Sequence, residues 1–302
     1  MKHLGGTMVE FKGIITALVT PMHDDERINE QELRNQVNRQ IEAGVHGLFV
    51  FGTNGESYIL SGKEKLRILE LVVEENRGRL PVYAGTGLPG TAETIRLSRE
   101  AVKAGADALS VITPYFASLS QDELYRHYAA LADAVDVPVI MYNIPARTGV
   151  SITVETAEKL KNHGNIKGIK DSSGSFDTIL QLIERTGDRL AVLSGNDSLV
   201  LWTLQAGGNG GVCGIANLFP RTMVSIYELW KAGKFGEAKE AQDSIRAIRN
   251  CFKLGNPNTI VKLAANLLGY PVGPCRRPFY TDDPRVTEKV REVLETHCRG
   301  LR

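Results

Sequence analysis

Four groups of residues in this chain have side chains suited to work on a carbonyl compound, and each follows a short apolar run. In NIKGIKDSSG (165–174), Lys170 lies near the exit of the run, whereas Lys167 sits near its entrance and can reach water. An exposed lysine has a pKa of about 10.4 and is nearly all ammonium, which is no nucleophile. Enclosure by apolar neighbours disfavours the charged form, so free amine becomes available to attack a ketone. The resulting protonated Schiff base is an electron sink, through which an adjacent carbon–carbon bond is made or broken as an enamine. Tyr142, closing PVIMYN (138–143), is placed to shuttle protons for the carbinolamine. Thr53-Asn54-Gly55 can present a hydroxyl and backbone donors to a keto acid's carboxylate. Arg147, in NIPARTG (143–149), offers a fork for a second carboxylate.

Each residue has a plainer role open to it. Lys170 could pair with Asp171 or another strand-end carboxylate, and Tyr142 could be a packed aromatic with a satisfied hydroxyl. Thr53-Asn54-Gly55 could be only a turn, and Arg147 only a surface cation. What weighs against four coincidences is the repeat that carries them. A β-branched run, a polar glycine-containing loop and an amphipathic stretch recur along the chain. The strand candidates are residues 13–21, 47–52, 81–87, 108–114, 138–143, 166–171, 190–195 and 210–215. In the helical stretch TAETIRLSREAVKAGA, Thr91 is the expected N-cap; Gly44, Gly105 and Gly207 are expected C-terminal stops. Eight strand–helix units in about 230 residues predict an α/β fold, a (β/α)₈ TIM barrel over residues 1–232. Residues 233–302 show helical patterns only and are expected to form a C-terminal extension packed on the barrel. In such barrels the active site lies at the C-terminal ends of the strands, where all four groups fall.

Other function classes are disfavoured. The 302 residues carry a net charge of +1, which favours neither nucleic acid nor an anionic membrane. No apolar run reaches the roughly 18 residues of a membrane span, and MKHLGGTMVEFKG is too short and polar for a secretory signal, so the cytoplasm is expected. Cys213, Cys251, Cys275 and Cys298 are widely spaced and read as reduced thiols; no CxxC or paired-histidine motif predicts zinc, and no metal is expected. The six histidines are scattered and most are expected at the surface. Gly85-Thr86-Gly87-Leu88-Pro89-Gly90 spells the dinucleotide fingerprint, with Asp107 downstream. Two complete units precede it, however, and Pro89 removes an N–H that a pyrophosphate would need, so it reads as a tight turn.

The chain resembles the family of dihydrodipicolinate synthase and N-acetylneuraminate lyase, the pyruvate-type class I aldolases. The motifs are GTNGES (52–57), AGTG (84–87), TPYF (113–116), YNIPARTG (142–149), GIKDSSG (168–174) and LSGND (193–197), and the likeness spans nearly the whole sequence. The resemblance implies that Lys170 forms the imine, Tyr142 relays protons, and Thr53 links the relay to solvent. It also implies that Thr53 and Asn54 bind the keto acid's carboxylate, with the backbones of Gly195 and Val212 beside it. No cofactor beyond the covalent imine on Lys170 is implied, and the assembly would be a homotetramer or homodimer.

Departures from the family pattern bear on substrate. The synthases usually have a second threonine in place of Asn54 and a tyrosine in place of Phe116, which reaches into a neighbouring subunit; phenylalanine cannot pass a proton. Tyr115 should point the other way. Gly62 and Pro89 leave two feedback-lysine positions unmatched, whereas Arg147 looks like the synthase's carboxylate-binding arginine. Asn54, GGVCGIAN (210–217) and GPCRRPF (273–279) look more like 4-hydroxy-2-oxoglutarate aldolase and its relatives. The preferred expectation is therefore a 4-hydroxy-2-oxo-acid aldolase releasing pyruvate and an aldehyde. Second comes 4-hydroxy-tetrahydrodipicolinate synthase, condensing pyruvate with aspartate semialdehyde in lysine biosynthesis. Behind both stand sugar-acid aldolases or dehydratases and a non-catalytic 2-oxo-acid binder.

Overall fold

The eight apolar runs become eight parallel strands. In the computed structural model, which describes residues 9–301, they are β1 Gly13–Ala17, β2 Gly47–Val50, β3 Val82–Gly85, β4 Ala108–Ile112, β5 Val139–Asn143, β6 Ile166–Asp171, β7 Ala191–Ser194 and β8 Gly210–Cys213. Each pairs with the next and β8 returns to β1, so the sheet closes. Around it run α1 Glu30–Glu42, α2 Gly62–Asn76, α3 Thr91–Lys103, α4 Gln121–Asp133, α5 Pro145–Thr148, α6 Val154–Leu160, α7 Phe176–Thr186, α8 Val200–Gln205 and α9 Pro220–Lys231. Four C-terminal helices follow: α10 Phe235–Ser244, α11 Arg246–Cys251, α12 Pro257–Leu267 and α13 Pro284–His297. This is the (β/α)₈ TIM barrel with C-terminal helices. No helix among the described residues is long and apolar enough to cross a membrane.

Strand alternation sorts the side chains into two layers. Ile15, Ala17, Phe49, Tyr83, Ile140, Leu193 and Val212 fill the barrel interior. Leu48, Val50, Leu109, Met141 and Ile169 face the helices. Further outward-facing residues, Ile14 and Cys213, join Ile248, Ile260, Val261 and Val290 in one buried cluster. The C-terminal helices thus share a core with β1 and β8. Helix entry is specified locally: Ser61 with Glu64 and Ser120 with Glu123 form reciprocal capping boxes at α2 and α4, a type of cap whose loss costs about 1 kcal/mol.

Several expectations need correction. Gly90, not Thr91, occupies the N-cap of α3, and the Thr91 hydroxyl instead lies 2.9 Å from His127 Nδ1. Histidine exposure was overstated: of those described, His23 and His297 are exposed, His46 and His163 are half-buried, and His127 is buried. His3 and residues 1–8 of the N-terminal stretch lie outside the described residues. Asp107 accepts a bond from Val82 N, at the entrance to β3 and away from the glycine loop at its exit. The fingerprint's acidic residue is a strand-start tether.

Candidate active site

Lys170 sits on β6 between Ile169 and Asp171, both of which alternation turns toward the helices, so its own side chain enters the barrel. Its register partner on β5 is Tyr142, and the Lys170 Nζ lies 3.7 Å from the centre of that ring and 5.0 Å from Phe49's. The Tyr142 hydroxyl is 3.3 Å from Thr53 Oγ1. Amine, phenol and hydroxyl therefore form one chain of groups.

The expected alternative pair, Lys170 with Asp171, does not form. Asp171 accepts from Asn143 Nδ2 at 2.7 Å and from Ser173 N at 3.2 Å. Burial raises its pKa, against the lowering effect of those bonds. Asn143 Oδ1 in turn accepts from Ile152 N at 3.0 Å, fastening the segment that follows Arg147. Asp171 braces the strands behind the amine.

The β2 loop that carries Thr53 is held from several sides. Thr20 Oγ1 donates to Gly55 O at 2.7 Å. Glu56, fully buried with φ +59°, meets Lys262 Nζ of α12 at 2.7 Å and accepts from Arg276 N at 2.8 Å. Asn54 packs on Gly214, where an added Cβ would fall 2.7 Å from the amide nitrogen. Gly195 is required by space, because a side chain there would collide with the Ser172 hydroxyl and come within 3.0 Å of Lys170 Cε.

Thr53, Asn54, Tyr142, Arg147, Lys170, Gly195 and Val212 all border one cleft that opens to solvent. Arg147 stands in α5, a short helix where a loop was expected, and is exposed at the mouth with Nη1 3.3 Å from Asn256 Oδ1. Sequence reasoning missed Asn196, Asp197, Arg249, Phe252 and Pro257, which also border the cleft. The first two stand in the quoted LSGND; the others come from the C-terminal helices, whose pattern predicted packing and nothing more. Asp197 is buried, and burial raises its pKa against the fields of Arg249 and Lys170. Burial also pushes the Cys213 thiol well up. Phe116 stays out of the cleft, fully exposed with φ +83°. Among the described residues, no group of three or more His, Cys, Asp or Glu gathers as a metal site would.

Residues 10–297 match the model of the Dihydrodipicolinate synthetase family. The chain belongs to that family. Its members are lyase- or aldolase-type enzymes that use a Schiff-base lysine, and this chain is an enzyme of that class. It is 40% identical over 295 residues to the 4-hydroxy-tetrahydrodipicolinate synthase of Methanopyrus kandleri, with 97% of each chain covered. It is 39% identical over 287 residues to that of Syntrophus aciditrophicus, covering 95% of this chain and 98% of the relative. Among solved structures, the synthase from Methylacidiphilum fumariolicum SolV superposes with a TM-score of 0.93 at 33% identity, covering 96% and 97% of the two chains. The Acinetobacter baumannii synthase complexed with pyruvate gives 0.92 at 32%, covering 95% and 98%.

These relatives bear the synthase name, which the motifs ranked second, and they do not support the aldolase preference. Two of the three features behind that preference have structural explanations. In GPCRRPF, Pro274 O accepts from Lys262, and Arg276 ties Glu26 O and Glu64 to the C-terminal segment. In GGVCGIAN, Asn217 accepts from Val19 N and donates to Ala17 O and Gly214 O. Asn217 and the GPCRRPF segment thus brace the barrel, whereas Val212 and Gly214 of GGVCGIAN border the cleft itself.

Proposed function

We propose that this family member is a 4-hydroxy-tetrahydrodipicolinate synthase that condenses pyruvate with aspartate semialdehyde through an imine on Lys170. The observation that carries the proposal is the continuous arrangement of Lys170, Tyr142 and Thr53 at the base of a cleft whose mouth holds Arg147.

The Lys170 amine attacks the keto carbon of pyruvate, and Tyr142 returns a proton to the carbinolamine oxygen, which leaves as water. Thr53 orients the phenol and, with Asn54, receives the carboxylate; Gly195 and Val212 line that end. Loss of a methyl proton gives the enamine, whose carbon attacks the aldehyde while Arg147 holds the semialdehyde's own carboxylate. The semialdehyde's amine can then displace Lys170 from the imine carbon, closing a ring and freeing the enzyme. The four buried, unpaired cysteines favour a reducing compartment, and we assign the enzyme to the cytoplasm. The family resemblance favours a homo-oligomer, dimer or tetramer, in which a second copy would cover the exposed Phe116.

The experiment is a direct contest of rates. Condensation of pyruvate with aspartate semialdehyde should exceed pyruvate release from a panel of 4-hydroxy-2-oxo acids. Fast release without condensation would reverse the assignment to the aldolase, and neither rate above background would leave a binder.

A further inference from the structure

We propose that Arg249, supplied by α11, is a specificity-determining residue that joins Arg147 in binding the acceptor aldehyde's single carboxylate, Arg147 from the mouth of the cleft and Arg249 from its C-terminal wall. The inference rests on the reading above that an enamine on Lys170 attacks a second, anionic substrate. Arg249 borders the same cleft as Lys170 and Arg147. Its guanidinium is poorly satisfied for one so enclosed. Nε is buried without a hydrogen-bond partner, and Asp197 Oδ2 stands 3.9 Å away, beyond hydrogen-bonding reach. Nη2 makes only a long contact, 3.3 Å, to Asn196 Oδ1. The Phe252 ring lies 4.9 Å from Cζ, a contact that holds the planar fork in place without using its donors.

Charge supports the same reading. Three cations, Lys170, Arg147 and Arg249, border the cleft against one carboxylate, Asp197, which already accepts from Ile215 N at 2.9 Å. With Nε shielded and Nη2 only weakly engaged, the terminal nitrogens keep donors for a ligand, and a carboxylate matches a guanidinium in two places at once. The pocket therefore selects aldehydes with an anionic far end over uncharged ones. Arg147 and Arg249 are both held by C-terminal residues, Asn256 and Phe252, so that region supplies acceptor selectivity while the barrel supplies the amine.

The test uses full-length Arg249→Gln and Arg249→Lys. Borohydride trapping of pyruvate should be unchanged in both, and the KM for aspartate semialdehyde should rise about tenfold in the glutamine variant, with lysine between. Succinate semialdehyde and butyraldehyde then serve as competing aldehydes; only the charged one should weaken, by about tenfold. Equal weakening of both would overturn the proposal, because Arg249 would merely position the Asn196–Asp197 turn. An unchanged KM in a folded variant that traps pyruvate would overturn it too. Failure of the wild-type chain to trap pyruvate would instead overturn the Lys170 reading. Should the glutamine variant not fold, the lysine variant alone decides by the same contrast of aldehydes.

Discussion

Two lysines are buried almost equally, Lys170 at 4% exposure and Lys262 at 1%, yet their surroundings differ completely. Lys262, in α12, meets Glu56 Oε1 at 2.7 Å and donates to Pro274 O at 2.7 Å. Lys170 has no ion pair or hydrogen bond among the described residues; it faces the rings of Tyr142 and Phe49 and an open cleft. Burial is thus not the mark of a reactive amine. A partnered cation holds two segments together, whereas one given aromatic faces and space is left free for a ligand.

Exchanging or removing these partners tests the contrast. Lys170→Ala should lose trapping of pyruvate and lower turnover by a factor on the order of 10⁴ to 10⁶, as when a covalent nucleophile is removed. Its fold, read by circular dichroism, should persist. Tyr142→Phe keeps the ring against the amine and deletes only the hydroxyl; steady-state kinetics should show a loss of about 10²–10⁴.

Lys262→Met should do the reverse. With Glu56 left buried and unpaired, stability should fall by roughly 3–5 kcal/mol in urea unfolding, while folded molecules still trap pyruvate. An unshifted midpoint would mean that the pair holds nothing.

Another buried base, His127, gives a smaller effect. Burial lowers the pKa of His127 from its ordinary 6.5 to about 4. Between those values the unfolded chain binds a proton that the folded chain refuses, so stability is complete above pH 6.5 and declines as pH falls toward 4. The loss at pH 5 is about 2 kcal/mol. In His127→Gln the decline of the melting temperature over that window should be shallower. Smallest of all, Phe116→Tyr should raise condensation by about tenfold, a step of 1.4 kcal/mol, if a second copy's phenol extends the Tyr142–Thr53 relay. An unchanged rate would show that protons leave by another route.

The barrel was legible because eight β-branched runs recur with helices between them, and a strand's period of two is enough to send Lys170 inward and Asp171 outward. That Thr53, Tyr142 and Lys170 would meet was legible for a related reason: strand ends converge at one face whatever fills the loops. Arg249 and Phe252 were not, because an amphipathic C-terminal helix announces burial of its apolar side but not which pocket its polar side overlooks. Thr91 was misassigned because its expected capping role ignored a partner, His127, that lies 36 residues away. The aldolase motifs misled for the same cause. Asn217 and Arg276 contact residues far off in sequence, so their structural duties were invisible until the fold was known.

The most direct measurement compares the two lysines in one experiment. The protein is incubated with pyruvate, reduced with borohydride, digested, and its peptides are mapped by mass spectrometry. The account predicts a three-carbon label on the peptide bearing Lys170 and none on the peptide bearing Lys262. A label on another residue, or no label at all, would contradict it.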